Sequence, residues 1–204
     1  ANGTDALEIA IESLKLPVDS EVIIPVNTWI SAAEAVVRNN LKIVFCDINL
    51  LDYSIDLNDL KKKINRRTKL IIPVHLYGVP SNMNEIIKLS KKYNIKIIED
   101  CAQAHGSYIK NKHVGTFGDL GTFSFYPSKN LGCFGDGGAI ITNNKKLSII
   151  CRRIKNHGSL SKYDHEVIGR NSRLDSIQAV ILNNNLKKLK RSIKIKNRNV
   201  NLYL

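Results

Sequence analysis

The sequence predicts an α/β domain: a mostly parallel central sheet with helices on both faces. Three observations predict it. Short apolar runs alternate with helix-length amphipathic stretches along the whole chain. The runs are rich in Val and Ile and lack the in/out alternation of a half-exposed strand, as in Val22-Ile23-Ile24, so they suit strands covered on both sides. The 204 residues are 43% hydrophobic, enough for one domain with a substantial core.

The elements follow in order. Asn2-Gly3-Thr4-Asp5 leads into an apolar-periodic helix from near Thr4 to Leu14. Glu21 to Pro25 reads as a buried strand. Trp29 to Arg38 reads as a helix with small residues on one face, and Lys42 to Cys46 as the next strand. Asp56 can cap a short helix ending near Ile64. Lys69 to Val74 reads as a strand, Asn82 to Tyr93 as a helix, and Ile95 to Ile98 as a strand running into Glu99-Asp100. Two further strands are expected over Leu120 to Phe125 and Gly138 to Thr142, and helices over Lys145 to Lys155 and Leu174 to Leu189. With no internal repeat and no Pro/Ser linker, one domain covering 1–204 is the economical reading.

Composition narrows the function classes. The net charge of +13 raises the question of nucleic acid. Basic residues are spread over nearly every helix, however. The one dense cluster, Lys187 to Arg198, with seven basic residues and no acid, reads as a solvated helix face or a surface meant to be covered. Nucleic acid is therefore not the expected partner, although general basicity would favour a substrate carrying a diphosphate. Cys46, Cys101, Cys133 and Cys151 are widely spaced with no CxxC pair, so neither zinc nor a disulfide framework is expected. No signal-peptide pattern opens the chain and no apolar run reaches the length of a membrane span, so a cytoplasmic location is expected.

Familiar nucleotide motifs fail. No GxGxxG follows the first strand, and Gly132-Cys133-Phe134-Gly135-Asp136-Gly137-Gly138 lacks the Lys-Ser/Thr of a Walker loop. Asp100 is more informative, because it ends a strand at the edge where open α/β sheets place ligands. By itself it could equally cap a helix or bind Mg²⁺. Lys129, alone, would be a solvated loop lysine. Together they match the needs of pyridoxal phosphate: a lysine for covalent attachment and an acid that keeps the ring nitrogen protonated. Gly3-Thr4-Asp5, at a helix start, adds backbone N–H groups and the positive dipole end for a phosphate, though the same residues could be a plain cap.

Longer strings carry a family resemblance. Asn2 to Leu7, Pro73-Val74-His75-Leu76-Tyr77-Gly78, Ile98 to Gly106, Ser124 to Gly132, Gly135 to Ala139, Asn156-His157-Gly158 and Asn171 to Ala179 occur in that order. Together they resemble the DegT-type sugar aminotransferases, a branch of the fold type I pyridoxal-phosphate enzymes, across the whole chain. The resemblance implies that the chain is the cofactor-binding large domain of such an enzyme. Lys129 matches the Schiff-base lysine and Asp100 the carboxylate on the pyridine nitrogen. Gln103 matches the residue beside the ring hydroxyl, and Trp29 the aromatic that stacks on the ring. Thr4, Asp5 and Ser124 match phosphate contacts, the first two mainly through backbone N–H. Asn171 matches a residue that reaches the phosphate of a neighbouring subunit, which implies a homodimer. No metal is implied.

The implied activity is transamination of a nucleotide-linked keto-sugar with an amino-acid donor, usually glutamate in this family, in amino-sugar or surface-polysaccharide biosynthesis. Relatives that deoxygenate sugars carry His at the lysine position; Lys129 favours amination. Gly132 to Gly138 and Lys162-Tyr163-Asp164-His165-Glu166 lean towards a 3-keto-sugar, with C4 amination and the choice of UDP or dTDP left open. Family members are about twice this length, so an N-terminal lead and a small C-terminal domain are expected beyond the sequence given. Three other readings stand beside this one: another fold type I enzyme, a regulatory or binding protein that keeps the fold without turnover, and a truncated, non-functional gene product.

Overall fold

The computed structural model describes residues 1–203. Its elements run α1 (Gly3–Ser13), β1 (Glu21–Pro25), α2 (Ser31–Arg38), β2 (Lys42–Cys46), α3 (Leu57–Lys63), β3 (Thr68–Ile71), a 3₁₀ turn (Leu76–Gly78) and α4 (Met83–Tyr93). They continue with β4 (Lys96–Asp100), the hairpin β5 (Tyr108–Ile109) and β6 (Lys112–His113), β7 (Leu120–Ser124), β8 (Gly138–Ile141) and α5 (Lys145–Ile154). The hairpin β9 (Ser159–Ser161) and β10 (Asp164–His165) and the long α6 (Ser176–Val200) complete the chain.

The main sheet has the order β2-β1-β3-β4-β7-β8. The first five strands are parallel and β8 joins antiparallel to β7. Alternate side chains of one strand serve opposite faces. Val22 and Ile24 of β1 pack into a core with α1, α2 and α5, whereas Ile23 packs into a second core with α3 and α4. This two-sided burial explains why the strands read as continuous apolar runs. Ala32 and Ala35, both fully buried, let α2 approach closely. Each fully buried Ile or Leu contributes roughly 1.5–3 kcal/mol relative to an exposed one.

Caps set the helix boundaries. The side chains of Asp56, Asn82 and Asn144 accept hydrogen bonds from first-turn N–H groups of α3, α4 and α5. Asn94 closes α4 in the left-handed region, with φ 52°. Several elements differ from expectation: the helix expected from Trp29 starts at Ser31. The strand after α3 stops at Ile71, since Pro73 has no N–H to donate, and only a bridge between Val74 and Asp100 carries the pairing further. The last helix starts at Ser176 and continues past Leu189 to Val200. The two small hairpins were not expected. Among the described residues no helix is long and apolar enough to cross a membrane.

Candidate active site

The carboxyl ends of the parallel strands and the N-terminus of α1 converge on one edge of the sheet. There α1 lies against β7 and β8. Gly3 makes that approach possible, because a Cβ on it would stand 2.7 Å from Ser124 Cβ. Asn2 caps α1, its Oδ1 accepting the Asp5 N–H at 2.8 Å. The Gly3 and Thr4 N–H groups donate to nothing among the described residues. Around them stand the Ser124 hydroxyl and the Thr4 hydroxyl, itself 2.7 Å from Ser31 Oγ at the start of α2. Free amides, hydroxyls and a helix dipole form a donor set suited to a phosphate. The Asp5 N–H, by contrast, is taken by the cap, and the Asp5 carboxylate accepts from Ser172 Oγ at 2.7 Å.

Asp100 ends β4 and is buried. Its backbone N–H donates to Pro73 O and its carbonyl accepts from the His75 N–H. Carboxylate Oδ1 accepts the Ala102 N–H at 2.9 Å, and Oδ2 has no hydrogen bond among the described residues. Burial pushes the Asp100 pKa up, opposed by that N–H and by the charge of Lys129. A buried acid with one free oxygen has room for a cationic N–H, whose charge would offset the upward push of burial.

Lys129, the other predicted residue, is near enough for its charge to lower the Asp100 pKa. Lys129 is half-buried in the turn after β7, its backbone N–H donating to Tyr126 O. Its amine forms no hydrogen bond or ion pair among the described residues. Gln103 is oriented by the backbone: its Oε1 accepts the Tyr77 N–H at 2.8 Å, which leaves its NH₂ as an unpaired donor among the described residues. Tyr77 reaches this position in the left-handed region, with φ 56°. Trp29, just before α2, is 75% exposed and free to cover a planar ligand. Asn171 stands apart from this cluster. It is exposed, pairs through its backbone with Asn156, and its side chain bonds to no described residue.

Other groups in the site escaped the sequence reading. Beneath Asp100, His75 and Glu99 form a fully buried pair with Nε2 and Oε2 2.9 Å apart. Ser81 N–H donates to His75 Nδ1, so the ring proton lies on Nε2 and points at Glu99. Glu99 also accepts N–H bonds from Gly115, Phe117 and Gly118. Burial alone would raise its pKa; the bonds from His75 and these amides outweigh that and hold it low. Cys101 lies close to this pair, a grouping of the kind that binds metals. The His and Glu donors are already occupied, and burial pushes the Cys101 thiol well above its usual range, so the trio is a structural network. His105, 5% exposed, packs against Phe123 and Phe125 at tilted ring angles, with both ring nitrogens unpartnered. Burial, then the charges of Lys129 and His113, lower its pKa to about 4.

Pyridoxal phosphate fits this donor set on structural grounds: unpaired amides for the phosphate, a half-free buried carboxylate for the ring nitrogen, an oriented amide NH₂, and an unpaired lysine.

Comparison with known proteins agrees. The family model described as the DegT/DnrJ/EryC1/StrS aminotransferase family matches residues 1–204. The UDP-N-acetyl-3-dehydro-alpha-D-glucosamine 3-aminotransferase of Acidithiobacillus ferrooxidans is 48% identical over 182 residues, 89% of this chain and 49% of that protein. A pleiotropic regulatory protein of Geobacillus stearothermophilus is 44% identical over 181 residues, again 89% of this chain and 49% of the relative. Among solved structures, NtdA from Bacillus subtilis, with bound cofactor PMP, superposes with a TM-score of 0.87 at 35% identity, covering 94% of this chain and 43% of that one. The chain thus spans about half the length of the curated relatives it matches.

Proposed function

Because the chain belongs to the DegT/DnrJ/EryC1/StrS aminotransferase family, we propose that its protein uses pyridoxal phosphate to move an amino group from an amino acid, glutamate by preference, to a nucleotide-linked keto-sugar. We assign amination to C3, in amino-sugar biosynthesis in the cytoplasm, by a homodimer with shared sites. The single observation that carries the reading is the buried Asp100 at the carboxyl end of β4, with one carboxylate oxygen unpaired and its pKa felt by the charge of Lys129. The C3 assignment is supported by the 48% identical relative, whose name specifies a 3-dehydro sugar and a 3-aminotransferase.

When bound, the cofactor supplies an electron-withdrawing ring that lets a proton leave the carbon bearing the amine. The chain's residues do the rest. Gly3 and Thr4 amides with Ser124 hold the phosphate, leaving the Asn2 cap intact. Asp100 Oδ2 accepts the ring N–H and keeps that proton in place. The Gln103 NH₂ orients the ring hydroxyl, and Trp29 covers one face and excludes water. Lys129 Nζ, unpaired, is the group available to anchor the cofactor and then carry a proton.

The test is spectroscopic. Protein mixed with pyridoxal phosphate should show a visible band that borohydride abolishes, with the reduced label on Lys129 by mass spectrometry. Lys129→Ala should show neither. A folded wild-type protein, checked by circular dichroism, without the band would sink the cofactor reading and leave the regulatory one, which the name of the 44% identical relative favours. Turnover of UDP- and dTDP-linked 3-keto- and 4-keto-sugars then decides the substrate.

A further inference from the structure

One face of α1 carries three acids, Asp5, Glu8 and Glu12, at helical spacings of three and four, on a helix whose other positions are largely apolar and buried. Glu8 is itself only 5% exposed, an expensive place for a lone carboxylate. It is paired on both sides. Arg38 Nε of α2 approaches its Oε1 at 2.9 Å, and Arg170 bonds its Oε2. The same Arg170 guanidinium reaches Glu12 with its other terminal nitrogen, so one fork spans two carboxylates a turn apart. Two residues on, Ser172 Oγ donates to Asp5 Oδ2 at 2.7 Å.

The backbone between them is extended and fixed at the end of α5. Arg170 N–H donates to Ile154 O at 2.8 Å, Ser172 N–H to Lys155 O at 2.9 Å, and His157 N–H to Arg170 O at 3.0 Å. In an extended segment successive side chains point to opposite sides. With Arg170 and Ser172 turned onto α1, Asn171 must turn away, and it is exposed. The helix that receives the two anchors is the one whose first amides form the candidate phosphate cradle.

We propose that Arg170 and Ser172 are positioning residues, which clamp this segment to the acidic face of α1 so that Asn171 is presented, with little freedom, to the phosphate bound by a second copy of the chain. The proposal rests on the role given to Asn171 above. Arg170 touches no cofactor; it acts only through Asn171, and that gives a measurable signature. A residue acting through another produces effects that do not add.

The experiment is a pyridoxal phosphate titration, read as Kd, of wild type, Asn171→Ala, Arg170→Met and the double variant, with apo thermal midpoints measured alongside. Losing one charge-assisted bond to the phosphate should raise Kd about tenfold in Asn171→Ala. Arg170→Met should raise it similarly, and the double variant should bind no worse than Asn171→Ala alone. Arg170→Lys, which keeps the charge but loses the fork, should fall between wild type and Arg170→Met. Should Arg170→Met fold poorly, Glu12→Gln removes one arm of the fork and should show the same non-additivity with Asn171→Ala. If Asn171→Ala weakens binding while Arg170→Met does not, or if the two effects multiply, the positioning role is overturned and the Asn171 contact stands. If Asn171→Ala leaves Kd unchanged, the Asn171 contact fails and the proposal falls with it.

Discussion

Asp100 has two properties that pull in opposite directions. Its burial favours the neutral acid, while the proposed chemistry requires a carboxylate. Without the cofactor, its pKa lies above the ordinary value. A carboxyl whose pKa is raised on folding gives stability that is complete below the unfolded pKa and is lost as pH rises through the folded one. Apo protein should therefore lose stability as pH climbs above about 4, the ordinary Asp value. Asp100→Asn should flatten that loss while abolishing tight cofactor binding. Apo melts from pH 4 to 8 check it; a variant less stable than wild type at pH 8 would count against a burial-dominated site. His105 has the opposite sign. Its pKa is lowered to about 4, so its contribution is present above its unfolded pKa of about 6.5 and disappears as pH falls towards 4. His105→Phe, placing a third apolar ring beside Phe123 and Phe125, should hold its melting temperature better than wild type between pH 6.5 and 4. Equal acid sensitivity in the two proteins would mean that His105 is not the buried neutral group.

At the scale of elements, much of the fold was legible because composition and geometry agree. The bounds of β1 and β2 read directly from the sequence as short Val/Ile-rich runs between polar turns; β1 is buried throughout, whereas β2, at the sheet edge, buries only Cys46 fully. The pair β5 and β6 was not legible: strands of two residues carry no period. The site was half legible for a related reason. Asp100 and Lys129 stand in strings long enough to identify, whereas Ser31, Ser172 and Arg170 act because distant segments meet on α1, a property of the tertiary structure. That meeting of α1 with the sheet makes a prediction at this scale. Gly3 and Gly138 both lie where α1 touches it; a Cβ on Gly138 would collide with the Asn2 carbonyl. Gly3→Ala or Gly138→Ala should push the start of α1 off β7 and β8, at a cost of about 1–3 kcal/mol. Cofactor affinity should suffer more than the melting temperature, because the displaced amides are those of the phosphate cradle. Equal melts and equal Kd values in wild type and Gly3→Ala would show that this approach is looser than the structure has it.

Across the whole molecule, charge is the dominant unspent feature. A chain of 204 residues carries a net +13, because 31 Lys and Arg face 18 acids, and its ion pairs lie mostly at the surface. The exceptions with a buried carboxylate, Glu8 with its two arginines and Glu21 with Arg67, are screened less by salt. What remains is mutual repulsion among exposed Lys and Arg, densest along α6, where Lys187, Lys188, Lys190, Arg191 and Lys194 follow one another without an acid. Such repulsion weakens the compact state and is relieved by counterions. Raising NaCl from 50 to about 500 mM should therefore raise the melting temperature, because the Debye length shrinks from roughly 14 Å to about 4 Å, inside the spacing of neighbouring basic side chains. The same salt should strip any polyanion from the protein, since such binding weakens steeply with ionic strength. A melting temperature that falls with salt would mean that the surface ion pairs outweigh the repulsion. Stable nucleic-acid retention at high salt would mean that α6 is a built binding face, and would favour the regulatory reading over the enzymatic one.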